Sequence, residues 1–415
     1  MRNVLILCDA FPPAFAPRMG YLCKYLHEFG WTSTIITEYL PKNVYTNLEG
    51  QDVTYINFYR SKNKIIQQLK YAFVFLADFL FDYKSLIIKR KAEKIIQQKN
   101  IDILLSSSYR TFPAFAVYQL KHRHKIPVVM DLRDIIEQYP NNEYISKKLF
   151  RSEKINRLVS KILTVKLLRQ RNKILKNVNA VTTVSEWHVK ILSAYHQNIN
   201  LIYNGFAPEL FYPQIVKNKR FIITYTGRIE SQEIKNPALL FEAAEKLSAE
   251  KKIDIKNFRL QFYLMDEKSK AIIYTFAKKH NVTDFVDIFD AVQNTEIPKI
   301  LNSSSVLLLL ANQSTGEKSP KGIMGTKLFE YLAIEKPILC VRNDEDCLEK
   351  TINSANAGLA ASAVEEVEEF ILEKFAEWQK NSYTHQPVNQ EFVQQFSRKR
   401  QAGLFAELFE ILITT

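Results

Sequence analysis

Two short apolar runs, each followed by a polar loop and then a helical pattern, constrain the fold of this chain more than any other feature. The first run, Asn3–Cys8, leads through a proline-containing loop to the helical pattern of Arg18–Phe29. The second, Phe221–Tyr225, leads through Thr226–Arg228 to the helical pattern of Pro237–Ala249. Runs without polar alternation are typical of strands buried on both faces, as in parallel sheets. The repetition therefore predicts two α/β units in one chain.

Further strand patterns follow each run and alternate with helical ones. In chain order they are Thr34–Thr37, Ile101–Ser106, Val128–Met130, Ala180–Val184, Arg259–Leu264, Val286–Phe289, Val306–Leu310 and Pro337–Val341. This alternation predicts the α/β class with two Rossmann-like, doubly wound domains. Turn residues near Asn204-Gly205 mark a boundary, so we expect domains over residues 1–205 and 206–387. Apolar residues at helical spacing in Asn389–Ile413 predict one long terminal helix within residues 388–415.

The charge of the chain indicates the kind of partner that it binds. Its 415 residues include 57 Lys and Arg against 44 Asp and Glu, a net charge of +13, which favours anionic partners. Four scattered cysteines predict neither a disulfide framework nor a zinc site. The longest apolar stretch, Tyr71–Phe81, is interrupted by Asp78 and is shorter than the roughly 20 residues that cross a bilayer, so no transmembrane helix is expected. Absence of a targeting pattern at Met1–Cys8 predicts a cytoplasmic protein.

The strongest candidate for a binding site is Lys321–Ala333 (KGIMGTKLFEYLA). Gly325 and Thr326 stand where a helix is predicted to begin, and the free N–H groups at such a helix end favour phosphate. Lys327 adds a positive charge, and the Glu330 carboxylate, near the same helix face, can accept hydrogen bonds from vicinal hydroxyls. A phosphate subsite beside a hydroxyl subsite is typical of a nucleotide or nucleotide-sugar site. An ordinary loop-to-helix junction is the alternative.

A second candidate segment is Tyr225–Pro237 (YTGRIESQEIKNP), which follows a predicted strand. Ligands of open α/β sheets bind at the carboxyl ends of strands. Arg228 and Lys235 can neutralise a diphosphate there, and the arginine can form forked hydrogen bonds with it. The alternative is a pair of surface cations in a loop that also holds Glu230 and Glu233.

In the first half of the chain, Asp131, Arg133 and Asp134 follow an apolar strand and are predicted to lie at the edge of the sheet. Asp131 or Asp134 can orient a substrate hydroxyl or take its proton, because a carboxylate with an ordinary pKa near 4 is ionised at pH 7. Arg133 can hold these carboxylates or bind an anionic group. A purely structural Asp–Arg–Asp network is the alternative.

Six short motifs, taken in order, resemble the family 4 glycosyltransferases of the GT-B architecture, and in one case a bacterial surface-polysaccharide subgroup of them. They are FPPAFAPR at Phe11–Arg18, DLRD at Asp131–Asp134, VSE at Val184–Glu186, NGF at Asn204–Phe206, TGR at Thr226–Arg228 and KLFEYLA at Lys327–Ala333. DLRD is the motif that carries the likeness to the polysaccharide subgroup. The ordered set is specific for the family and says little about the sugar.

The resemblance implies two Rossmann-like domains that face each other across a cleft, with the terminal helix crossing back to the N-terminal domain. The N-terminal domain would bind the acceptor and the C-terminal domain a nucleotide sugar. The implied activity is transfer of a sugar to a saccharide or lipid-linked acceptor, with retention of anomeric configuration, in polysaccharide synthesis. No metal or other cofactor is expected.

The resemblance also assigns roles to residues on the donor side. Arg228 and Lys235 would hold the donor diphosphate, and Arg228 would act catalytically by stabilising it as it leaves. Backbone N–H groups from Gly325 to Lys327, including Thr326, would contact the phosphates. Glu330 corresponds to the second glutamate of the Glu-x7-Glu motif of the family and would bind the donor ribose.

Position 322 departs from that motif, and other roles fall on the acceptor side. Gly322 stands where the family has the first glutamate, which commonly contacts the donor sugar. Arg18 and Arg133 are assigned to the acceptor side, and Asp131 and Asp134 are the candidate catalytic carboxylates.

A basic stretch, Lys147–Lys176, contains eleven Lys and Arg against one acid, Glu153, interleaved with aliphatic residues. Such a helix is typical of a membrane-surface or nucleic-acid element, or of a solvated face over a core-facing stripe. Aromatic residues that would stack on bases are almost absent from it, so no nucleic acid is expected. An anionic membrane surface is the expected partner, and the protein would then be peripheral on the inner face of the plasma membrane.

Three other functions fit parts of the same pattern. A nucleotide-sugar 2-epimerase has the same fold and needs no acceptor. A non-catalytic sugar-binding relative would be consistent with Gly322. A non-catalytic basic protein that binds membranes or nucleic acid would be consistent with the net charge. Nicotinamide chemistry and P-loop hydrolysis are disfavoured, because neither a GxGxxG nor a GxxxxGK[ST] motif is present.

Overall fold

A computed structural model describes residues 1–48, 50–108, 112–138, 152–231, 234–312 and 324–414. Its contacts divide the chain into two compact units. The first comprises Met1–Tyr203 together with Arg398–Thr415, and the second comprises Asn204–Ser397. Each unit has a parallel sheet flanked by helices, which confirms the predicted α/β class with two Rossmann-like domains.

The sheet of the first unit contains seven parallel strands in its described part, in the order β3-β2-β1-β4-β5-β6-β7. The strands are β1 (Arg2–Cys8), β2 (Trp31–Glu38), β3 (Asp52–Ile56), β4 (Ile103–Ser108), β5 (Val128–Leu132), β6 (Ala180–Thr183) and β7 (Ile199–Leu201). The helices are α1 (Pro17–Leu26), α2 (Lys64–Phe81), α3 (Tyr83–Gln98), α4 (Ala114–His124), α5 (Glu153–Leu175) and α6 (Glu186–Leu192). Strands β4, β5 and β6 are buried along their whole length, including the polar residues at their carboxyl ends.

The second unit repeats this plan with six parallel strands in its described part, in the order β10-β9-β8-β11-β12-β13. The strands are β8 (Phe221–Gly227), β9 (Phe258–Leu264), β10 (Val286–Asp290), β11 (Val306–Leu310), β12 (Ile338–Val341) and β13 (Gly358–Ala361). The helices are α7 (Ala238–Ala249), α8 (Glu267–Lys279), α9 (Ile297–Asn302), α10 (Thr326–Ile334), α11 (Cys347–Ala355), α12 (Val364–Asn381) and α13 (Gln390–Gln394), and α14 (Arg398–Thr414) returns to the first unit.

The terminal segment differs from the single long helix predicted over Asn389–Ile413. It forms two helices, α13 and α14, separated at residues 395–397. The backbone at this break pairs with Phe206 instead of continuing the helix. The carbonyl of Phe396 accepts a hydrogen bond from the N–H of Phe206 at 3.1 Å, and Ser397 forms a parallel bridge with Phe206. Helix α14 packs on α1 of the first unit, as the resemblance implied.

Both sheets change winding direction beside their first strand. In the first sheet β1 lies between β2 and β4, and in the second β8 lies between β9 and β11. Ligands of open α/β sheets bind at the carboxyl ends of strands at such switch points. Ligand-binding residues are therefore expected directly after β1, β8 and β11.

Among the residues that the structure describes, no helix combines the length and the apolar character needed to cross a membrane.

Candidate functional site

Lys327 is the central residue of the site in the second unit. It lies in the first turn of α10, the helix that follows β11, and its side chain reaches across to the end of the neighbouring strand β8. Lys327 Nζ lies 3.4 Å from the hydroxyl oxygen of Tyr225 and 4.7 Å from the centroid of its ring. The ammonium therefore combines a hydrogen bond with a cation–π contact.

Gly227 makes room for that side chain. It is the last residue of β8, its φ is +128°, and a β-carbon at this position would overlap the Lys327 ammonium. Only glycine adopts this backbone conformation without strain, so both the backbone and the space favour glycine here. In a chain with only 10 glycines among 415 residues, this one has a definite structural reason.

The electrostatics of the site make Lys327 an unusual lysine. Burial, together with the nearby positive charge of Lys235, lowers its pKa to about 8. The carboxylates of Glu230 and Glu330 act in the opposite direction and favour the charged form. A bound anion would stabilise the charged form of Lys327, because it would replace interactions with water that burial has removed.

We call Arg228, Lys235 and Lys327 the cationic cluster. Lys235 is near enough for its charge to act on Lys327, and Arg228 is linked to the other two through its main-chain carbonyl. Lys235 Nζ lies 2.8 Å from a carboxylate oxygen of Glu230 and 3.3 Å from the carbonyl oxygen of Arg228. That carbonyl also accepts a hydrogen bond of 2.8 Å from the Tyr225 hydroxyl. The loop after β8 is thus tied to the residues around Lys327.

The Arg228 side chain extends from this loop toward solvent. The side chain is 60% exposed, and its Nε lies 2.8 Å from a carboxylate oxygen of Asp266. Asp266 is also the N-cap of α8, since its carboxylate accepts a hydrogen bond from the backbone N–H of Ser269 at 2.8 Å. Asp266 therefore holds Arg228 at the carboxyl edge of the sheet.

The N-terminal end of α10 adds backbone donors. Gly325 precedes the helix and is exposed, and within the described residues no side chain caps this end. The free N–H groups and the positive end of the helix dipole favour an anion here. Thr326 is half-buried in the first turn, and Glu330, also half-buried, lies one turn further along. Lys321 and Gly322, at the start of the predicted segment, lie outside the described residues.

In the first unit, Asp131 lies at the centre of a buried polar network. Its carboxylate is 3.0 Å from Arg18 Nη2, and both side chains are almost completely buried. The carboxylate also accepts hydrogen bonds from Ser107 at 2.8 Å and Thr182 at 2.7 Å, which come from the neighbouring strands β4 and β6. Arg18 in turn donates to the carbonyl of Tyr203 at 2.7 Å. The network connects α1, three strands and the end of the first unit.

Arg133 and Asp134 follow β5 and lie nearer to the surface of the unit. The guanidinium of Arg133 is paired with Asp9, the residue directly after β1. Burial raises the pKa of Asp134 above its ordinary value, while the charge of Arg133 and a hydrogen bond from Gln138 lower it. Burial also raises the pKa of Asp9, against the opposing charge of Arg133. These half-buried groups form a second polar cluster at the carboxyl edge of the first sheet.

The structure thus brings together the predicted residues Arg228, Lys235, Lys327 and Glu330 in one unit and Arg18, Asp131, Arg133 and Asp134 in the other. Sequence reasoning missed their supporting partners Tyr225, Asp266 and Asp9. Tyr225 belongs to an apolar run and Asp266 stands at the start of a helix, so both residues have an ordinary structural explanation in the sequence. Of the three, only Asp9 could have been found from sequence, because it directly follows the first apolar run and so lies at the carboxyl end of a predicted strand.

Two family models match this chain in succession. The model described as Glycosyltransferase Family 4 matches residues 18–210, and the one described as Glycosyl transferases group 1 matches residues 208–389. The two matches meet close to the division between the structural units. No curated protein matches the chain significantly.

Solved structures of similar fold cover nearly the whole chain. A glycosyltransferase from Rickettsia africae is 15% identical, with a TM-score of 0.64 over 99% of this chain and 98% of its own. Anabaena HepE, solved with UDP and glucose, is 10% identical, with a TM-score of 0.62 over 99% and 100%. A UDP-N-acetylglucosamine 2-epimerase, named as putative, from Listeria monocytogenes is 12% identical, with a TM-score of 0.54 over 100% and 97%. At these identities the likeness shows the fold. The two family matches together span residues 18–389, so the chain belongs to the glycosyltransferases of the family 4 type, with the GT-B fold.

Proposed function

We propose that the cationic cluster binds the diphosphate of a nucleotide sugar and that Glu330 binds its ribose. The observation that carries this proposal is the half-buried Lys327 side chain, whose ammonium lies against Gly227 at the carboxyl end of β8 and beside the open end of α10. HepE was solved with UDP and glucose, which supports a uridine diphosphate sugar as the first donor to test.

The chemistry requires charge stabilisation more than a nucleophilic side chain. The acceptor hydroxyl oxygen forms a bond to the anomeric carbon while the bond from that carbon to the diphosphate oxygen breaks. Negative charge then grows on the leaving diphosphate, where fixed cations and backbone N–H groups stabilise it. We propose attack on the same face of the sugar as the departing group, hence retention. We also propose that Arg228, Lys235 and Lys327 supply the positive charge without a metal ion.

On the acceptor side, we propose Asp134 rather than Asp131 as the carboxylate that meets the acceptor hydroxyl. Asp131 is completely buried, with Arg18, Ser107 and Thr182 on its oxygens. Asp134 is half-buried, and its raised pKa suits a group that takes a proton. Arg133 would fix its orientation. The acceptor would be a saccharide or lipid-linked saccharide, in polysaccharide synthesis at the cytoplasmic face of a membrane.

The direct test is incubation of the protein with a panel of nucleotide sugars, with and without a mixed lipid extract as acceptor source. Thermal shift with each donor gives binding, because a ligand of the native state raises the melting temperature. We expect stabilisation by one donor class and sugar release only when the acceptor is present. Stabilisation by no nucleotide sugar would contradict the proposal.

The fold likeness to the Listeria epimerase makes epimerisation the second candidate. An epimerase changes the donor without any acceptor. Conversion of the donor sugar in the acceptor-free incubation would therefore favour that function, while transfer that depends on the acceptor would exclude it.

The pH dependence of donor affinity follows from the pKa of Lys327, which is about 8 in the free protein. Only the ammonium form attracts the diphosphate, so binding raises that pKa. We expect constant affinity well below pH 8 and a fall of up to about tenfold per pH unit above it. Titration calorimetry between pH 6.5 and 9.5 measures this. Lys327→Arg, which stays charged, should give a flat profile; a flat wild-type profile would contradict the assignment.

Replacement of Gly227 by alanine is expected to weaken donor binding at least tenfold. The added β-carbon would displace the Lys327 ammonium, and the φ of +128° would be strained. Gly30→Ala is the matched control, since Gly30 also has a positive φ, +81°, but open space around it. That control should lose about 1–2 kcal/mol of stability and keep donor affinity. Equal donor affinity in the two variants would argue against the placement of Lys327.

A further inference from the structure

Helix α2 presents a surface that nothing in the donor site explains. Of its 18 residues only Val74 is buried. Its exposed large apolar side chains are Ile65, Ile66, Leu69, Tyr71, Phe73, Phe75, Leu76, Leu80 and Phe81. Soluble monomers rarely expose contiguous apolar patches of this extent unless the patch binds something.

Helix α5 continues this surface. Lys166 of α5 donates a hydrogen bond to the carbonyl of Phe79, and its ammonium lies 5.2 Å from the centroid of the Phe79 ring, so the two helices are in contact. The N-terminal part of α5 exposes the apolar residues Ile155, Leu158, Ile162 and Val165. Their spacing of three and four residues places them on one face of the helix.

The charges on these helices are almost all positive. The exposed cations of α5 are Lys154, Arg157, Lys161, Arg169 and Lys173, and those on and beside the start of α2 are Lys62, Lys64 and Lys70. Glu153 is the one acidic residue of α5. Apolar side chains surrounded by cations complement an anionic lipid surface, where the apolar groups enter the acyl boundary and the cations meet headgroups.

Other partners fit this surface less well. A second copy of the chain would bring like charges together. A nucleic acid would satisfy the cations but would leave the aliphatic and aromatic side chains of α2 against phosphates.

We propose that α2 and the exposed face of α5 dock the protein onto an anionic bilayer. The proposal rests on the proposed function in one respect: docking would bring the enzyme to a lipid-linked acceptor. It assigns membrane contact to α2, whose apolar stretch Tyr71–Phe81 the sequence analysis considered only as a possible transmembrane segment. It also extends the role predicted for the basic stretch, of which residues 147–151 lie outside the described part.

The test is co-sedimentation of the full-length protein with vesicles. We expect binding to phosphatidylcholine vesicles that contain phosphatidylglycerol, weaker binding at higher salt, and little binding to phosphatidylcholine alone. The triple variant Leu69→Ser, Phe73→Ser, Leu76→Ser should bind at least tenfold more weakly. Its matched control is Ile215→Ser, Met265→Ser, Tyr274→Ser, three exposed positions of the second unit, which should bind like wild type.

Charge is tested separately. Lys154→Gln, Arg157→Gln, Lys161→Gln should reduce binding roughly 100-fold, because each cation near an anionic surface contributes about a factor of five. Lys268→Gln, Lys278→Gln, Lys279→Gln removes the same charge from exposed positions of α8 and should have little effect. Equal losses in the two charge variants would overturn the proposal, because net charge alone would then explain binding.

Two further results would also overturn it: no sedimentation with anionic vesicles, or a wild-type dimer in light scattering that the α2 variant abolishes without any change in vesicle binding. Thermal shift with a nucleotide sugar should be the same for the wild type and all of these variants. Failure of the membrane proposal can thus be told apart from failure of the proposed function: a protein that does not bind vesicles but still binds the nucleotide sugar keeps its donor site.

Discussion

Lys327→Met is expected to lower the turnover number roughly 100- to 1000-fold, the usual effect of removing one group that stabilises a developing anion. Methionine keeps the length and the apolar stem of the side chain but cannot donate to a phosphate or to Tyr225. Donor affinity should fall as well, since in the proposed complex the ammonium would also contact the ground-state diphosphate. Steady-state transfer assays at pH 7 measure both effects.

Lys336→Met is the matched control for that variant. Lys336 belongs to the same unit and is buried, and burial lowers its pKa to about 8, but its Nζ donates to the carbonyl of Thr384 at 2.9 Å. Its replacement should affect stability and spare turnover. Arg228→Ala should also reduce turnover, by less than Lys327→Met, because the Arg228 side chain is 60% exposed and its charge is screened by water. Near-normal transfer by Lys327→Met would remove Lys327 from the mechanism.

Asp131→Ala is expected to lower the free energy of unfolding by about 3–5 kcal/mol, the cost of leaving a buried charge without its partner. Arg18 would lose its carboxylate, and the hydroxyls of Ser107 and Thr182 would lose their acceptor. Urea unfolding followed by circular dichroism measures the loss. Asp131→Asn, which keeps an acceptor oxygen, provides a milder variant if the alanine variant does not fold.

An exposed ion pair on the same sheet supplies the control for Asp131. Asp52 Oδ2 lies 2.6 Å from Lys99 Nζ, with both side chains about half exposed, 56% and 48%. Such pairs contribute little, so Asp52→Ala should cost at most about 1 kcal/mol. An Asp131→Ala protein with wild-type stability and no transferase activity would instead make Asp131 catalytic.

The place of the candidate donor-binding residues in the fold was largely predictable from sequence, because the strands and helices that carry them are locally encoded. The apolar runs of β8 and β11 predict buried parallel strands, and ligands bind where such strands end. Arg228 and Lys327 could thus be placed at one sheet edge from their positions alone. The contact between Lys327 and Gly227 joins segments that are far apart in sequence. It cannot be predicted without knowing that β8 and β11 are neighbours in the sheet.

Other features were missed for physical reasons. The edge strands β3, β7 and β13 are short and less apolar (DVTYI, INL and GLAA), since an edge strand is not enclosed by two neighbours. The sequence could not decide between a catalytic and a structural Asp131, because its partners Ser107 and Thr182 come from separate strands and Arg18 from a helix. Helix α2 carries apolar residues around most of its circumference, so no one-sided pattern marked it as a surface element.

The most direct measurement of the central claim compares the affinities for a nucleoside diphosphate and the corresponding monophosphate. If the cationic cluster holds the second phosphate, wild type should prefer the diphosphate at least tenfold, and Lys327→Met should lose most of that preference. Glu330→Gln should weaken the binding of both nucleotides equally, because both contain the ribose that Glu330 is proposed to bind. An unchanged preference in Lys327→Met would contradict the account.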